Sequence, residues 1–515
     1  MYLRSAQLQG EGVMLRRIVA GAVAGLAVLA SAANAEAAWY KAETDRFVVY
    51  GEGREGEVRD YALKLQTFDA MLRLFHPSTL DTVPATKVQV YLVDGLRDLR
   101  RMRPSLGAGV HGFYAASNEG VIAAVATERS LEADDVLFHE YAHHFMLENF
   151  PAAYPAWFVE GFAEYFMTAE ITDEGVKVGG YNPQRAAAVF LARWLPWEEV
   201  FSKTTAETHR RDTAAYYSQA WLLAHYMYSD RERAAQLDKA ITAIAGGAPP
   251  VEAFQAATGM DSRELTRVLR RYDKLQLYLV RDPLKTPPAM TVTRLQPSAD
   301  EFLLDHVRLL FSRTGRLDQG FLDSVRRRAA RLPDDPFAQR TLARAEYVMG
   351  DVAAGEAIMK AQLAARPDDL ETVLLAGMGQ VLAGLREPQN RQQRFRAGRP
   401  FLAKAYALDK RDFRPLYAYG LARSVEPEFP TDNDMTVLLE ARALAPSVQE
   451  NSVRAGLALL KVGRKDDARK VLAAVINNPH GGGYAARARA LLEGASESDA
   501  EAAGQAEEAP PDETE

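Results

Sequence analysis

Two short stretches constrain this 515-residue chain more than any other part of it: residues 139–143 (HEYAH) and residues 157–166 (WFVEGFAEYF). Histidines four residues apart lie on one face of a helix, so His139 and His143 can both reach a single cation. Zinc binds neutral imidazole nitrogens in a tetrahedron that a catalytic site leaves open at one corner. Glu140 points away from the histidine face, which suits it to take a proton from water at that corner.

The second stretch supplies two carboxylates on an apolar helix. Pro151 and Pro155 interrupt the chain after the first helix, and Pro155 suits the first turn of a new one. Glu160 and Glu164 are four residues apart and share a face of this new helix. Acids on such an apolar helix need partners. One of them can complete the metal shell, and the other can orient a ligating histidine.

The HExxH helix and the following W-x-x-E-G-x-A-E-Y helix together resemble the gluzincin zinc peptidases, in particular the bacterial peptidase-MA-like group. In that family the two histidines and the glutamate of the E-G pair bind zinc. The resemblance implies His139, His143 and Glu160 as zinc ligands and Glu140 as the catalytic base. It leaves Glu164 as a residue that orients one of the ligating histidines and does not bind the metal itself.

Two nearby features separate this pattern from its alternatives. The metzincin pattern needs glycine and histidine three and six residues after the second histidine, where this chain has Met146 and Asn149. His144 lies off the face shared by the two ligating histidines. We therefore expect His144 to pack against neighbouring residues or to support the site indirectly.

A later stretch, residues 216–223 (YYSQAWLL), offers a candidate for oxyanion stabilisation. In the gluzincin group, a tyrosine on a later helix donates a hydrogen bond to the oxyanion of the tetrahedral intermediate. The Y-x-Q-A-W register resembles that helix and implies Tyr217, with Tyr216 as the other candidate. The alternative is that both tyrosines serve packing beside a helix start.

The mixed pattern of strands and helices before about residue 280 predicts one α/β unit. With the resemblance, the expected fold is an α+β zincin-like catalytic domain followed by an all-α helical-repeat domain. The strand at residues 121–125 is a candidate for the edge of the cleft, where an extended peptide could pair, or else an ordinary interior strand. The predicted boundaries are 1–35 for a signal peptide, 38–280 for the zincin-like domain, 281–300 for a linker, 301–494 for the repeats and 495–515 for an acidic tail.

The second half carries a degenerate tetratricopeptide-like repeat. Small residues recur at fixed spacing from residue 336 and again from residue 449, where paired helices would touch closely. We expect three to five helical hairpins that stack on one another. Five arginines between residues 386 and 399 predict an inserted loop, either solvated or able to bind an acidic peptide or an anionic headgroup.

The start of the chain has the pattern of an export signal. Arg16 and Arg17 precede an apolar run at residues 18–30, and an A-N-A cleavage pattern ends at Ala35, with Met14 as the expected initiator. The run is too short to span a membrane comfortably, so no stable transmembrane anchor is expected after cleavage. An uncleaved interfacial helix is the alternative. The sequence thus indicates a periplasmic or secreted protein.

Composition excludes several classes of protein. The chain has no cysteine, which excludes disulfides, a thiol nucleophile and cysteine-bound metal. The formal charge of −7 comes from the last 21 residues, which hold eight acids and no base, so we expect a disordered tail on a nearly neutral body. No basic surface or nucleic-acid-reading motif is evident, and no nucleic-acid partner is expected.

Two functional classes fit these observations. The first is an exported zinc-dependent peptidase that acts on protein or peptide substrates and uses its repeats to bind a partner or substrate. An endopeptidase is favoured, because no glycine-rich acidic motif is present to capture a free amino terminus. The second class is an envelope scaffold or peptide-binding protein that cleaves little. Every expected ligand and the base are present, which favours the first class.

Overall fold

The structure, a computed structural model, describes residues 38–107, 110–127, 130–204, 207–208, 212–312 and 318–508, without the side chains of residues 130–133, 184 and 508. It comprises an α/β region (residues 38–294) and a helical array (residues 298–508). This agrees with the prediction of a mixed domain followed by all-α repeats. The predicted signal peptide lies outside the described residues. Within the described part, no helix is long and apolar enough to cross a membrane.

A six-stranded mixed sheet organises the α/β region, and three short strands form a second sheet. The nine strands are β1 (Trp39–Glu43), β2 (Phe47–Glu52), β3 (Val88–Val93), β4 (Gly112–Ser117), β5 (Gly120–Ala126), β6 (Glu170–Thr172), β7 (Gly175–Val178), β8 (Tyr278–Val280) and β9 (Thr291–Arg294). The main sheet has the order β4-β5-β3-β2-β1-β9, and the second has the order β6-β7-β8. Strands β2, β3 and β5 are mutually parallel, and the other neighbouring pairs are antiparallel.

The sheet order corrects two expectations from the sequence. Residues 121–125 do not form a sheet edge, because β5 is paired on both sides and β4 is the edge strand. Residues 291–294, which fall in the predicted linker, pair with β1 as the opposite edge strand. Proline-rich flanks made this segment resemble a linker. An edge strand that pairs on one side tolerates such flanks.

Ten helices belong to the α/β region: α1 (Glu55–Phe75), α2 (Leu96–Met102), α3 (Ser130–Asn149), α4 (Ala156–Phe166), α5 (Pro183–Leu191), α6 (Trp197–Ser202), α7 (Thr213–Tyr228), α8 (Arg231–Ala245), α9 (Pro250–Thr258) and α10 (Ser262–Leu269). Alternate strand residues face opposite sides of the main sheet. Val88, Val90 and Val121 face α1 and α3 in one core. The opposite face packs against α2 and the first helix of the array.

The helical array begins with two helices and continues as five hairpins. Its helices are α11 (Ser298–Phe311), α12 (Gln319–Ala329), α13 (Pro336–Met349), α14 (Val352–Ala365), α15 (Leu370–Arg386), α16 (Arg391–Leu408), α17 (Arg414–Arg423), α18 (Asp432–Leu444), α19 (Gln449–Lys461), α20 (Lys465–Ile476), α21 (Gly482–Leu492) and α22 (Glu497–Glu508). Small residues lie at the crossings, as expected. A Cβ on Gly355 would be 3.2 Å from the Ala343 carbonyl oxygen, and one on Gly456 would be 2.6 Å from Leu472.

The arginine-rich segment is helical, so the prediction of an inserted loop is wrong. Most of it lies in α16, and its arginines pair within the array. Arg396 and Arg399 both contact the buried carboxylate of Glu426. Arg394 pairs with Glu356 and Glu387. Glu356 and Glu426 come from neighbouring hairpins, so the local composition could not reveal them.

The acidic tail is also ordered in part. Residues 497–508 form α22 instead of the disordered segment that the sequence predicts, and residues 509–515 lie outside the described part. Ala500 is fully buried, and a Cβ on Gly504 would be 2.8 Å from the Gly483 carbonyl oxygen. Small residues let this acidic helix pack closely on α21 while its charged side chains face outward.

The array contacts the α/β region near both of its ends. Its first helix covers one face of the main sheet. Further along, Arg411 donates to the Pro84 carbonyl at 2.7 Å, and the Thr86 hydroxyl donates to the Leu444 carbonyl at 3.1 Å. The Ser447 backbone N–H lies 3.4 Å from a carboxylate oxygen of Glu148, on α3. The last hairpins therefore lie beside the helix that carries the HExxH motif.

Candidate metal centre

Helix α3 presents two histidines to one point in space. The Nε2 atoms of His139 and His143 are 3.0 Å apart, as the four-residue spacing on a helix predicts. The opposite side of the helix is held by Phe138, Ala142 and Phe145 in the core below the main sheet. The two imidazoles are thus directed away from the sheet.

His144 does not join this pair. It is buried, and its Nδ1 atom is 2.8 Å from the Tyr114 hydroxyl on the edge strand β4. This is the packing role that the sequence suggests. It links the motif helix to the strand at the end of the sheet.

Helix α4 brings the carboxylate of Glu160 to the two histidines. Every residue of α4 is buried, and Glu160 is 0 % exposed. Its Oε2 atom lies 3.6 Å from His139 Nε2 and 3.4 Å from His143 Nε2. Gly161 permits this placement, because a Cβ there would be 2.6 Å from the Ala220 carbonyl oxygen on α7. The glycine of the E-G pair therefore sets how closely α4 and α7 approach.

A fourth side chain, His480, reaches the same point from the helical array. It lies in the connection between α20 and α21. Its Nε2 atom is 3.2 Å from His143 Nε2 and 3.1 Å from Glu160 Oε1. The ligand atoms of His139, His143, Glu160 and His480 all lie within 4.8 Å of one another. These four residues form a group that could hold a metal ion.

The spacing of His139, His143 and Glu160 matches three ligands of a tetrahedral site. Ligands bonded to zinc at about 2.0 Å in a tetrahedron lie about 3.3 Å from one another. The separations among the two histidine Nε2 atoms and Glu160 Oε2 are 3.0, 3.4 and 3.6 Å, on both sides of that value. His480 approaches the other carboxylate oxygen, Oε1. Hydrogen bonding alone does not explain the cluster. Neither oxygen of the buried Glu160 carboxylate makes a hydrogen bond of good geometry with the described residues.

The electrostatics of His139 and Glu160 favour the forms that bind a cation, whereas those of His480 favour its protonated form. Burial, followed by the neighbouring His143 imidazole, lowers the pKa of His139 well below its ordinary value and keeps it neutral. Burial opposes ionisation of Glu160, but His143 and His480 hold the pKa of this carboxyl well below its usual range. Burial likewise opposes a charge on His480, yet the Glu160 carboxylate raises the pKa of His480 to about 9. Without a cation, the ionised Glu160 carboxylate thus draws a proton onto His480.

Glu164 lies behind His139 and is paired with an arginine that the sequence did not single out. Its Oε1 atom is 3.7 Å from His139 Nδ1, on the opposite side of the ring from the metal group. Arg185 on α5 donates to both carboxylate oxygens, at 2.8 and 2.7 Å. Burial raises the pKa of Glu164, and Arg185 works against that shift. The pair fixes the carboxylate beside His139.

Glu140 and Tyr217 border the group without belonging to it. After burial and nearer charges, the charge of Glu140 also raises the pKa of Tyr217 and of His480, so Glu140 lies within electrostatic range of both. The Arg185 guanidinium lies over the Tyr217 ring, with its central carbon 4.7 Å from the ring centroid. Burial, followed by the charges of Glu160 and Glu164, raises the pKa of Tyr217, so its hydroxyl keeps its proton. The Tyr216 hydroxyl instead donates to the Lys203 carbonyl at 2.9 Å.

Sequence reasoning missed two residues of this site, His480 and Arg185. Neither stands in a motif. His480 lies 337 residues after His143 and follows Asn478 and Pro479 in a glycine-rich turn. Arg185 is one arginine among many. Only the packing of the array and of α5 identifies them.

Comparison with known proteins adds little to this geometry. No family model matches the chain, and no curated protein matches it. Among solved structures, the chain resembles a thermophilic TPR protein from Thermus thermophilus, with 21% sequence identity and a TM-score of 0.27. The match covers 36% of this chain and 88% of that one.

Proposed function

We propose that this protein is a zinc-dependent peptidase of the gluzincin type. His139, His143 and Glu160 hold the metal, and Glu140 is the catalytic base. The observation that carries the proposal is the close spacing of the His139 and His143 nitrogens and the buried Glu160 carboxylate, with Glu140 on the same helix as the two histidines. Three imidazoles and one carboxylate suit zinc better than magnesium or calcium, which prefer oxygen ligands.

Each surrounding residue has a distinct task in this proposal. Zinc, when bound, supplies an activated water and polarises the scissile carbonyl. Glu140 takes the proton from the attacking water and passes it to the leaving amine. Tyr217 donates a hydrogen bond to the oxyanion, for which its protonated hydroxyl is suited. Glu164, held by Arg185, fixes the orientation of the His139 ring.

The substrate class follows from the site and the array together. A protein or peptide is the expected substrate, and β4 is the strand along which an extended chain could pair. The helical array supplies a surface for a protein partner or for the substrate itself. Cleavage at internal peptide bonds of the substrate is favoured over removal of its terminal residues. The signal-like leader at residues 1–35 supports export to the periplasm or secretion.

A second candidate function rests on the fourth ligand. Four protein ligands make a closed site, and closed zinc sites are usually structural. In this alternative, the metal ties the array to the α/β region in a scaffold or peptide-binding protein with little or no activity. The placement of Glu140 and Tyr217 favours the peptidase, because a structural site has no use for either.

The test compares the parent chain with Glu140→Gln for zinc content and for cleavage of casein and mixed peptides. We expect the variant to keep its zinc and to lose cleavage by about 10²- to 10⁴-fold, since only the proton transfer is removed. Glu57→Gln, which changes an exposed acid on α1 away from the metal group, is the control. Equal and measurable cleavage by the parent chain and Glu140→Gln, or by the same pair in a His480→Ala background, would remove Glu140 from the mechanism.

A further inference from the structure

We propose that His480 closes the metal centre, so that the helical array holds the peptidase in a latent state until this residue leaves. The inference rests on the proposed function, since it assigns a regulation to the same site. A catalytic zinc site has three protein ligands and keeps its fourth position for water. His480 takes that fourth position. It lies 3.2 Å from His143 Nε2 and 3.1 Å from Glu160 Oε1.

The four ligands are not held equally. His139, His143 and Glu160 project from helices inside the α/β region, with side chains 14%, 4% and 0% exposed. The His480 side chain is 45% exposed and lies in the short connection between α20 and α21. Removing its ring from the site therefore breaks few packing contacts. His480 is the ligand that can be exchanged for water.

The backbone around His480 suits local movement. The His480 N–H donates to the Asn478 side chain at 2.9 Å, which shapes the turn before the next helix. Three glycines follow, and Gly482 has a φ of +44°, in the left-handed region that glycine adopts readily. A Cβ on Gly482 would contact nothing within 4 Å. The exposed ring of His480 can turn out of the site while α20 and α21 stay in place.

The same part of the array also covers the approach to the site. Helix α19 contacts the edge strand β4, and Ser447 lies against Glu148 at the end of α3. A substrate that pairs with β4 approaches along this covered edge. Opening therefore has two parts: release of His480 from the metal and displacement of the neighbouring hairpins from the edge strand. In the release step an imidazole leaves and a water molecule enters, with no change of oxidation state.

The test uses the full-length chain loaded with cobalt(II), which makes the coordination visible in the absorption spectrum. The parent chain, His480→Ala and the loop control Asn477→Ala are titrated with acetohydroxamate, a small chelator that needs an open metal position. We expect His480→Ala to keep one metal per chain and to bind the hydroxamate about tenfold or more tightly, because its site is always open. Asn477→Ala should match the parent chain. Cleavage of casein by the zinc-loaded forms is measured in parallel.

The outcomes separate this inference from the proposed function. Tighter hydroxamate binding with increased cleavage supports both. Tighter hydroxamate binding without cleavage in any form supports closure by His480 and overturns the peptidase. Equal hydroxamate binding by the parent chain and His480→Ala overturns the closure, whatever the cleavage. Loss of metal from His480→Ala overturns it as well, because His480 would then be a structural ligand.

Discussion

At the scale of single residues, neighbouring groups decide what each acid of the metal centre does. Glu160 and Glu164 sit on the same face of one helix and are both almost fully buried. Glu160 faces three imidazoles, whereas Glu164 is paired with Arg185. An acid already paired with a guanidinium has less to gain from a cation. This difference assigns the ligand role to Glu160.

Removing each acid in turn tests this assignment. Glu164→Ala should weaken zinc binding by about 10- to 100-fold, the usual effect of losing a group that orients a ligand. Glu160→Ala should weaken it by more than that, because a direct ligand is lost. Competition with a chromogenic chelator measures both affinities. A larger effect from Glu164→Ala would exchange the two roles.

Replacing Tyr216 and Tyr217 one at a time separates the role of oxyanion donor from a role in stability. Tyr217→Phe should lower kcat about 10²- to 10³-fold without loss of zinc, because only the oxyanion donor is removed. Tyr216→Phe should leave kcat unchanged and instead lower the free energy of unfolding by about 0.5–1.5 kcal/mol, because the hydrogen bond from Tyr216 to the Lys203 carbonyl is lost. Kinetics in the His480→Ala background, together with urea unfolding, measure the two effects. A loss of kcat confined to Tyr216→Phe would assign the role of oxyanion donor to Tyr216 instead of Tyr217.

At the scale of elements, close helix crossings set the positions of the functional groups. Gly161 allows α4 to approach α7, so that Glu160 and Tyr217 face the same space. Crossings in the array follow the same rule at Gly355 and Gly456. Backbones can come this near only where a side chain is missing. The small residues in the sequence therefore mark contacts between helices.

The crossing at Gly161 yields a quantitative prediction. Gly161→Ala should lower the free energy of unfolding by about 1–3 kcal/mol, because its methyl group would overlap the Ala220 carbonyl. Zinc binding should weaken as well, since Glu160 is adjacent. Gly56→Ala is the control, because this helical glycine has open space around it and the change should be neutral or slightly stabilising. Equal unfolding curves for the two variants would argue against the tight crossing.

At the scale of the whole molecule, buried ion pairs join the array to the α/β region. Arg344 on α13 donates to both carboxylate oxygens of Glu119, at 2.8 and 3.0 Å, in the turn between β4 and β5. Both side chains are more than nine-tenths buried. A pair so placed leaves an uncompensated charge when either partner is removed. The first hairpin of the array is thereby fixed on the sheet, so opening is confined to His480 and the later hairpins.

Replacing this pair tests how firmly the two parts are joined. Arg344→Met should lower the free energy of unfolding by about 3–5 kcal/mol, because Glu119 stays buried without a partner. The double variant Glu119→Gln/Arg344→Met should recover more than half of that loss. Arg464→Ala, which removes a half-exposed pair with Asp467, is the control and should cost less than about 1 kcal/mol. A small effect of Arg344→Met would mean that water reaches the junction.

The sequence by itself determined the features that depend on short spacing. The four-residue period of His139 and His143 fixes two ligand nitrogens 3.0 Å apart once the segment is helical. The recurring small residues likewise indicated stacked hairpins. Local patterns are informative here because a helix turns neighbouring positions onto one face, whatever the rest of the chain does.

Only the tertiary structure decided which distant groups meet. His480 reaches the metal group because the array returns to α3, and Arg185 reaches Glu164 because α5 packs beside it. The arginines of α16 and the acidic residues of α22 were misjudged from composition for the same reason. Glu356 and Glu426, which pair with arginines of α16, lie on other hairpins, and α22 is held by its close packing on α21. Charge patterns along the chain carry no record of such contacts.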